Sequence, residues 1–214
     1  LDIQTVVDFL TEAERAARGP DRLPAGVRKL DLPMQAGNLG ALAGVVNEAR
    51  RTGDFSEISA DINPDIHRLL IVEGRDYYAT LLRELADPGN RPLVFHCSHG
   101  IHRTGTATAI LLSALGVPWE TIREDYLLSN VYRGDEIERR VGELRQLYAS
   151  NNDMPVEQVD STNIEAFYIL QGSYIDAALD RAITDYGSMQ DYIRDGLGIT
   201  DAEVLQLQQQ LLEH

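Results

Sequence analysis

The chain has 214 residues, one cysteine and a formal net charge of −15 from 19 basic and 34 acidic side chains. That length fits one domain with a substantial core, and the lone cysteine excludes an intrachain disulfide. The acidic excess argues against nonspecific binding to nucleic acid or to anionic membranes.

In chain order, Ile3 to Phe9 reads as a buried strand, and Thr11-x-x-Glu14 offers a capping box for a short helix that Gly19-Pro20 stops. Val27 to Leu32 reads as a second strand closed by Pro33, and Leu39 to Arg50 as a helix. Residues 53–64 form a polar segment rich in Asp and Ser, a candidate mobile lid that carries Asp61 and is followed directly by Asp65. Apolar spacing predicts helix from Ile66 to Ala86, where the Tyr77-Tyr78 pair is read as packing. Pro92 to Phe95 reads as a short buried strand. Helices follow over Arg103 to Leu115, Pro118 to Asn130, Ile137 to Tyr148, Asn163 to Tyr186, Met189 to Leu197 and Ala202 to Leu212. Gly187 and Gly198 read as helix ends. Strands alternating with helices predict an α/β fold: a parallel sheet flanked by helices, with a helix-rich C-terminal half.

The most informative stretch is Phe95-His96-Cys97-Ser98-His99-Gly100-Ile101-His102-Arg103-Thr104-Gly105, a Cys-x5-Arg sequence between strand and helix. A five-residue loop can turn its N–H groups onto one anion, and the following helix adds the positive end of its dipole. Ser98, His99, Gly100, Ile101, His102 and Arg103 are therefore the candidate phosphate-binding residues. Arg103 supplies a planar fork for two phosphate oxygens. The same field favours the Cys97 thiolate, an activated nucleophile. Thr104 is placed to donate its hydroxyl to the sulfur, and His96 to orient the loop. A lone cysteine at a strand end is more often a small buried hydrophobe, but the full string in this context is specific. His96, His99 and His102 are spaced by three, but the first and last flank a loop that must wrap phosphate, and no second Cys or Glu-His pair completes a metal site, so neither metal nor cofactor is expected.

At these residues the chain resembles the cysteine-dependent protein tyrosine phosphatase superfamily, and more narrowly the bacterial family that includes a secreted mycobacterial lipid and tyrosine phosphatase. Thr5 to Glu14 is similar to that family's Asp-Leu-Arg-x3-Glu strand and turn. Tyr126 to Asn130, Tyr186 to Met189 and Tyr192-Ile193 are similar to its C-terminal helices. The chain departs from the family pattern at Gly100-Ile101-His102-Arg103, where members read Gly-Lys-Asp-Arg, and at Leu10, where they carry Arg. His102 also resembles the Gly-Lys-His-Arg loop of plant and fungal atypical dual-specificity phosphatases.

The resemblance implies one tyrosine-phosphatase-like domain over residues 1–211. It implies hydrolysis of phosphate monoesters through a phosphocysteine, first of all of protein phosphotyrosine, with dual or phosphoinositide activity beside it. Two alternatives stand: an inositol polyphosphate phosphatase, suggested by His102, and a phosphate-binding pseudophosphatase, suggested by Leu10 and the lack of an acid after Leu32-Pro33. The general acid is open among Asp61, ranked first, Asp65 and His102. The substrate is a phosphorylated protein or a small phosphate ester, with no nucleic acid and no membrane span. The chain starts at Leu1 without Met and is read as lacking its native N-terminus, so a cytoplasmic location is expected with secretion left open. Residues 212–214 fit the start of a polyhistidine tag.

Overall fold

The computed structural model describes residues 2–35, 37–59 and 61–212. Its sheet has three strands. β1 (Thr5–Asp8) lies between β2 (Arg28–Asp31) and β3 (Leu93–His96), and all pairs are parallel. The register sets Thr5 opposite Arg28 and Leu93, and Asp8 opposite Asp31 and His96. β1 is buried along its whole length, as the central strand of a covered parallel sheet must be, which accounts for its unbroken Thr-Val-Val run. The sequence-derived α/β reading with a parallel sheet is therefore observed.

Parallel neighbours need crossovers. α1 (Glu12–Arg18) joins β1 to β2, while α2 (Gly37–Thr52), α3 (Ile62–Glu73) and α4 (Arg75–Ala86) join β2 to β3. Beyond the phosphate loop come α5 (His102–Ala114), α6 (Trp119–Tyr132), α7 (Gly134–Asn151), α8 (Thr162–Tyr168), α9 (Gly172–Tyr186), α10 (Met189–Asp191, continued by a wide turn to Gly196) and α11 (Asp201–Leu211). α3 packs against α9 and α5, so the core joins the sheet layer to the C-terminal helices. Among the described residues no helix is long and apolar enough to cross a membrane.

Three expectations need correction. Residues 53–59 are not a free lid: Phe55 and Ile58 are buried in the core, and Asp65 belongs to helix α3 rather than to a loop. The helix expected over 66–86 is two helices broken at Gly74. A Cβ at Gly74 would stand 2.4 Å from Leu70 O and 2.7 Å from the Tyr78 ring, so the break brings α4 closer than any other residue would allow. The helix expected over 163–186 is broken after Tyr168. There the Asn130 side chain accepts from Leu170 N and donates to Leu170 O, both at 2.8 Å, and takes over backbone bonds that a continuous helix would make.

Candidate active site

The loop from Cys97 to Ile101 leaves the C-terminal end of β3, the edge of a parallel sheet where ligands of α/β proteins bind. Gly100 turns it with a φ of +70°, a conformation natural to glycine. Ile101 then drives its side chain into the core, which anchors the loop and leaves that residue only its backbone to offer a ligand. α5 begins at His102, so Arg103 and Thr104 lie in its first turn, above the positive end of the helix. Cys97, Ser98, Ile101, His102 and Arg103 floor a cleft with walls that include Glu14, Arg50, His99 and Phe167.

Arg103 is locked in place. Its Nη1 donates to Phe9 O at 2.8 Å and to Glu14 Oε2 at 2.7 Å, and its Nη2 donates to Glu14 Oε1 at 2.7 Å. Glu14 is also the reciprocal member of the α1 capping box: its Oε2 accepts from Thr11 N at 2.9 Å and its own N–H donates to Thr11 Oγ1 at 3.1 Å. Burial raises the Glu14 pKa, but Arg103 and the Thr11 bonds outweigh it and bring it to about 2. Burial also pushes the Cys97 thiol up. The charge of Arg103, the Thr104 hydroxyl and the N–H groups of His99 and Thr104 reverse this and hold it below its ordinary value. Thr104 Oγ1 is buried with no hydrogen-bond partner among the described residues, and its hydroxyl is among the groups that favour the Cys97 thiolate.

The tyrosine phosphatase family model matches residues 1–213. The chain belongs to the tyrosine phosphatase family. It is 28% identical over 237 residues to the triple specificity protein phosphatase PtpB of Mycobacterium tuberculosis, covering 99% of this chain and 83% of that one. It is 29% identical over 133 residues to a candidate tyrosine-protein phosphatase of Cupriavidus necator, covering 62% of this chain and 44% of that one.

In this tyrosine phosphatase family member the cleft collects Cys97, Ser98, His99, Ile101, His102 and Arg103, while Gly100 and Thr104 lie outside its lining. It does not collect the expected carboxylic acids. Asp61 is exposed at the start of α3, outside the cleft lining, and Asp65 is exposed and paired with Arg68 at 2.7 Å. His102 does line the cleft, yet its Nε2 donates to Asn63 Oδ1 at 2.6 Å, because the Asn63 amide nitrogen is already committed to Ala166 O. Burial first, then His67 and nearby arginines, keep that imidazole neutral.

The histidines face separate partners. His99 Nδ1 accepts from Ser98 Oγ at 2.5 Å and lies 3.4 Å from Arg50 Nη2. His96 Nε2 is 3.4 Å from Asp21 Oδ2. Asp8, Asp21 and His96 come close enough to share an ion, but Lys29 Nζ already stands 3.0 Å from Asp8 and 3.2 Å from Asp21. Two residues of the site escaped the sequence reading. Glu14 was visible as a helix cap, whereas its bond to Arg103 spans 89 positions. Arg50 sat in a predicted helix with no motif to single it out.

Proposed function

We propose that this chain hydrolyses phosphate monoesters, protein phosphotyrosine first, through a phosphocysteine intermediate. What carries the reading is a thiol that stays acidic although burial opposes it, set between Arg103 and the loop N–H groups. The Cys97 thiolate attacks phosphorus in line. The S–P bond forms as the ester P–O bond breaks, and the leaving oxygen takes its proton from solvent water. Arg103 and the loop N–H groups hold the equatorial oxygens, with Glu14 fixing the plane of the guanidinium. Water then attacks the phosphocysteine and gives up its proton to solvent; the P–S bond breaks with Thr104 donating to the departing thiolate, and inorganic phosphate leaves. No carboxylic acid with a spare proton lines the cleft among the described residues, since Glu14 is ionised and committed to Arg103. Proton delivery to the leaving group is therefore weak, and esters of acidic alcohols, aryl phosphates above all, are the favoured substrates.

Cys97→Ser tests this. Turnover of a phosphotyrosine peptide should fall below about one per cent of wild type while orthovanadate still binds. Rapidly quenched wild type should carry one phosphoryl group on the peptide that contains Cys97. Serine-variant turnover near that of wild type would overturn the mechanism. Phosphate binding by a wild type that never turns over would favour the pseudophosphatase.

A further inference from the structure

The imidazole of His102 is held in one tautomer. Asn63 Nδ2 donates to Ala166 O at 2.7 Å, so Asn63 turns its Oδ1 to His102, and a carbonyl oxygen can only accept. The single ring proton of neutral His102 therefore sits on Nε2, 2.6 Å from Asn63 Oδ1. The ring is wedged between those of His67 and Phe167, with centroids 5.5 Å from each. Burial first, then His67, Arg50 and Arg103, keep it from taking a second proton. Asn63 does not line the cleft, so the one proton of the ring faces away from it. To the cleft, His102 offers an acceptor rather than an acid.

That acceptor is Nδ1. It has no hydrogen-bond partner among the described residues, yet it is not sealed from solvent as the buried unpartnered atoms are. His102 lines the cleft, so this surface opens into it. The other strong acceptors there are taken. Both Glu14 oxygens lie on Arg103, and His99 Nδ1 receives the Ser98 hydroxyl. The Asn47 amide also lines the cleft, from the α2 wall, but an amide oxygen is a weaker acceptor than an imidazole nitrogen. The second half of the reaction needs an acceptor in the cleft. Water attacking a phosphocysteine grows more acidic as its bond to phosphorus forms, and it attacks well only with a lone pair already aimed.

We propose that His102 Nδ1 holds the water that hydrolyses the phosphocysteine, which makes His102 a catalytic residue of the second step and not of the first. This rests on the phosphocysteine reading. Nδ1 accepts one hydrogen bond from the water and so points a water lone pair at phosphorus. The new O–P bond forms, the P–S bond breaks with its electron pair returning to sulfur, and one water proton leaves to solvent as phosphate departs. A ring that stays neutral suits this task, since it remains an acceptor at every working pH. Asn63 is a positioning residue: by holding the ring proton on Nε2 it keeps Nδ1 bare.

The test separates the two steps with p-nitrophenyl phosphate, whose leaving group needs no acid. In stopped flow, His102→Ala should release its first equivalent of p-nitrophenol within about threefold of the wild-type rate, while steady-state turnover falls at least about tenfold. Rapid quenching should then find the variant as phosphocysteine. Asn47→Ala should leave both phases within about twofold of wild type. Equal losses in both phases of His102→Ala mark a structural role and overturn the proposal, and so does the split appearing in Asn47→Ala instead. A second measurement needs no variant. Orthovanadate on Cys97 places an apical oxygen where the attacking water would stand. In wild type labelled with 15N-histidine, the Nδ1 resonance of His102 should move upfield when vanadate binds, as it accepts a hydrogen bond. An unmoved resonance overturns the proposal even if His102→Ala does not fold. If no phosphoryl group ever appears on Cys97, this proposal and the phosphocysteine reading fall together. A phosphocysteine that His102→Ala hydrolyses at the wild-type rate overturns this proposal alone.

Discussion

Glu14 fixes the plane of the Arg103 guanidinium, so the proposed mechanism depends on a fork and not only on a charge. Arg103→Lys keeps the charge but cannot span two phosphate oxygens and both Glu14 oxygens at once. It should lose kcat/KM nearly as severely as Arg103→Ala; steady-state kinetics giving near wild-type values would show that Arg103 does not clamp the phosphate. Glu14 carries a pH signature. Its pKa falls from 4.5 to about 2 on folding, so its contribution is fully present above about 4.5 and is lost as pH drops through about 2. The shift corresponds to roughly 3 kcal/mol. Glu14→Gln should therefore be destabilised by about that amount at neutral pH, with the gap to wild type closing towards pH 2. Urea unfolding at a series of pH values measures it, and a pH-independent gap would contradict the assignment.

Among the elements, the first turn of α3 holds Asp65 and follows Asp61, and both lie exposed and outside the cleft lining. The polar composition of residues 53–64 suggested a closing lid, but composition does not reveal that Phe55 and Ile58 pin the segment to the core. Asp61→Asn should change kcat/KM by less than about twofold for activated and poor aryl leaving groups alike, since a true general acid contributes about 100-fold or more. A large loss confined to poor leaving groups would return Asp61 to the site. The contrast between elements shows what the sequence made legible. The strand, loop and helix around Cys97 were readable because the whole motif is local. The α1 capping box was equally local and is observed in full. The breaks at Gly74 and after Tyr168 were not readable, because a Tyr78 ring and an Asn130 amide from elsewhere in the fold create them. Arg50 escaped for the same reason: its meaning comes from His99 and Phe167, which reach it only after α2, α8 and the loop have packed.

On the scale of the molecule, an acidic surface surrounds a cationic cleft, and the sole cysteine lies within that cleft. An acidified thiol is prone to peroxide, and here no neighbouring thiol can rescue a sulfenic acid within the chain. Low peroxide with glutathione present should give a mixed disulfide and activity recoverable by reductant. Prolonged peroxide alone should give progressive irreversible loss through the sulfinic acid. Intact mass with parallel activity assays follows both courses, and an unmodified, fully active protein after sustained exposure would mean that Cys97 is not acidified. The same solitude makes Cys97 a built-in titrant. A thiol-directed alkylating dye can attach at one position only, so label per chain counts competent clefts directly. The slowing of labelling by an added anion then reads occupancy of the loop without any turnover, and dissociation constants for non-hydrolysable ligands become measurable by a stopwatch and a fluorimeter.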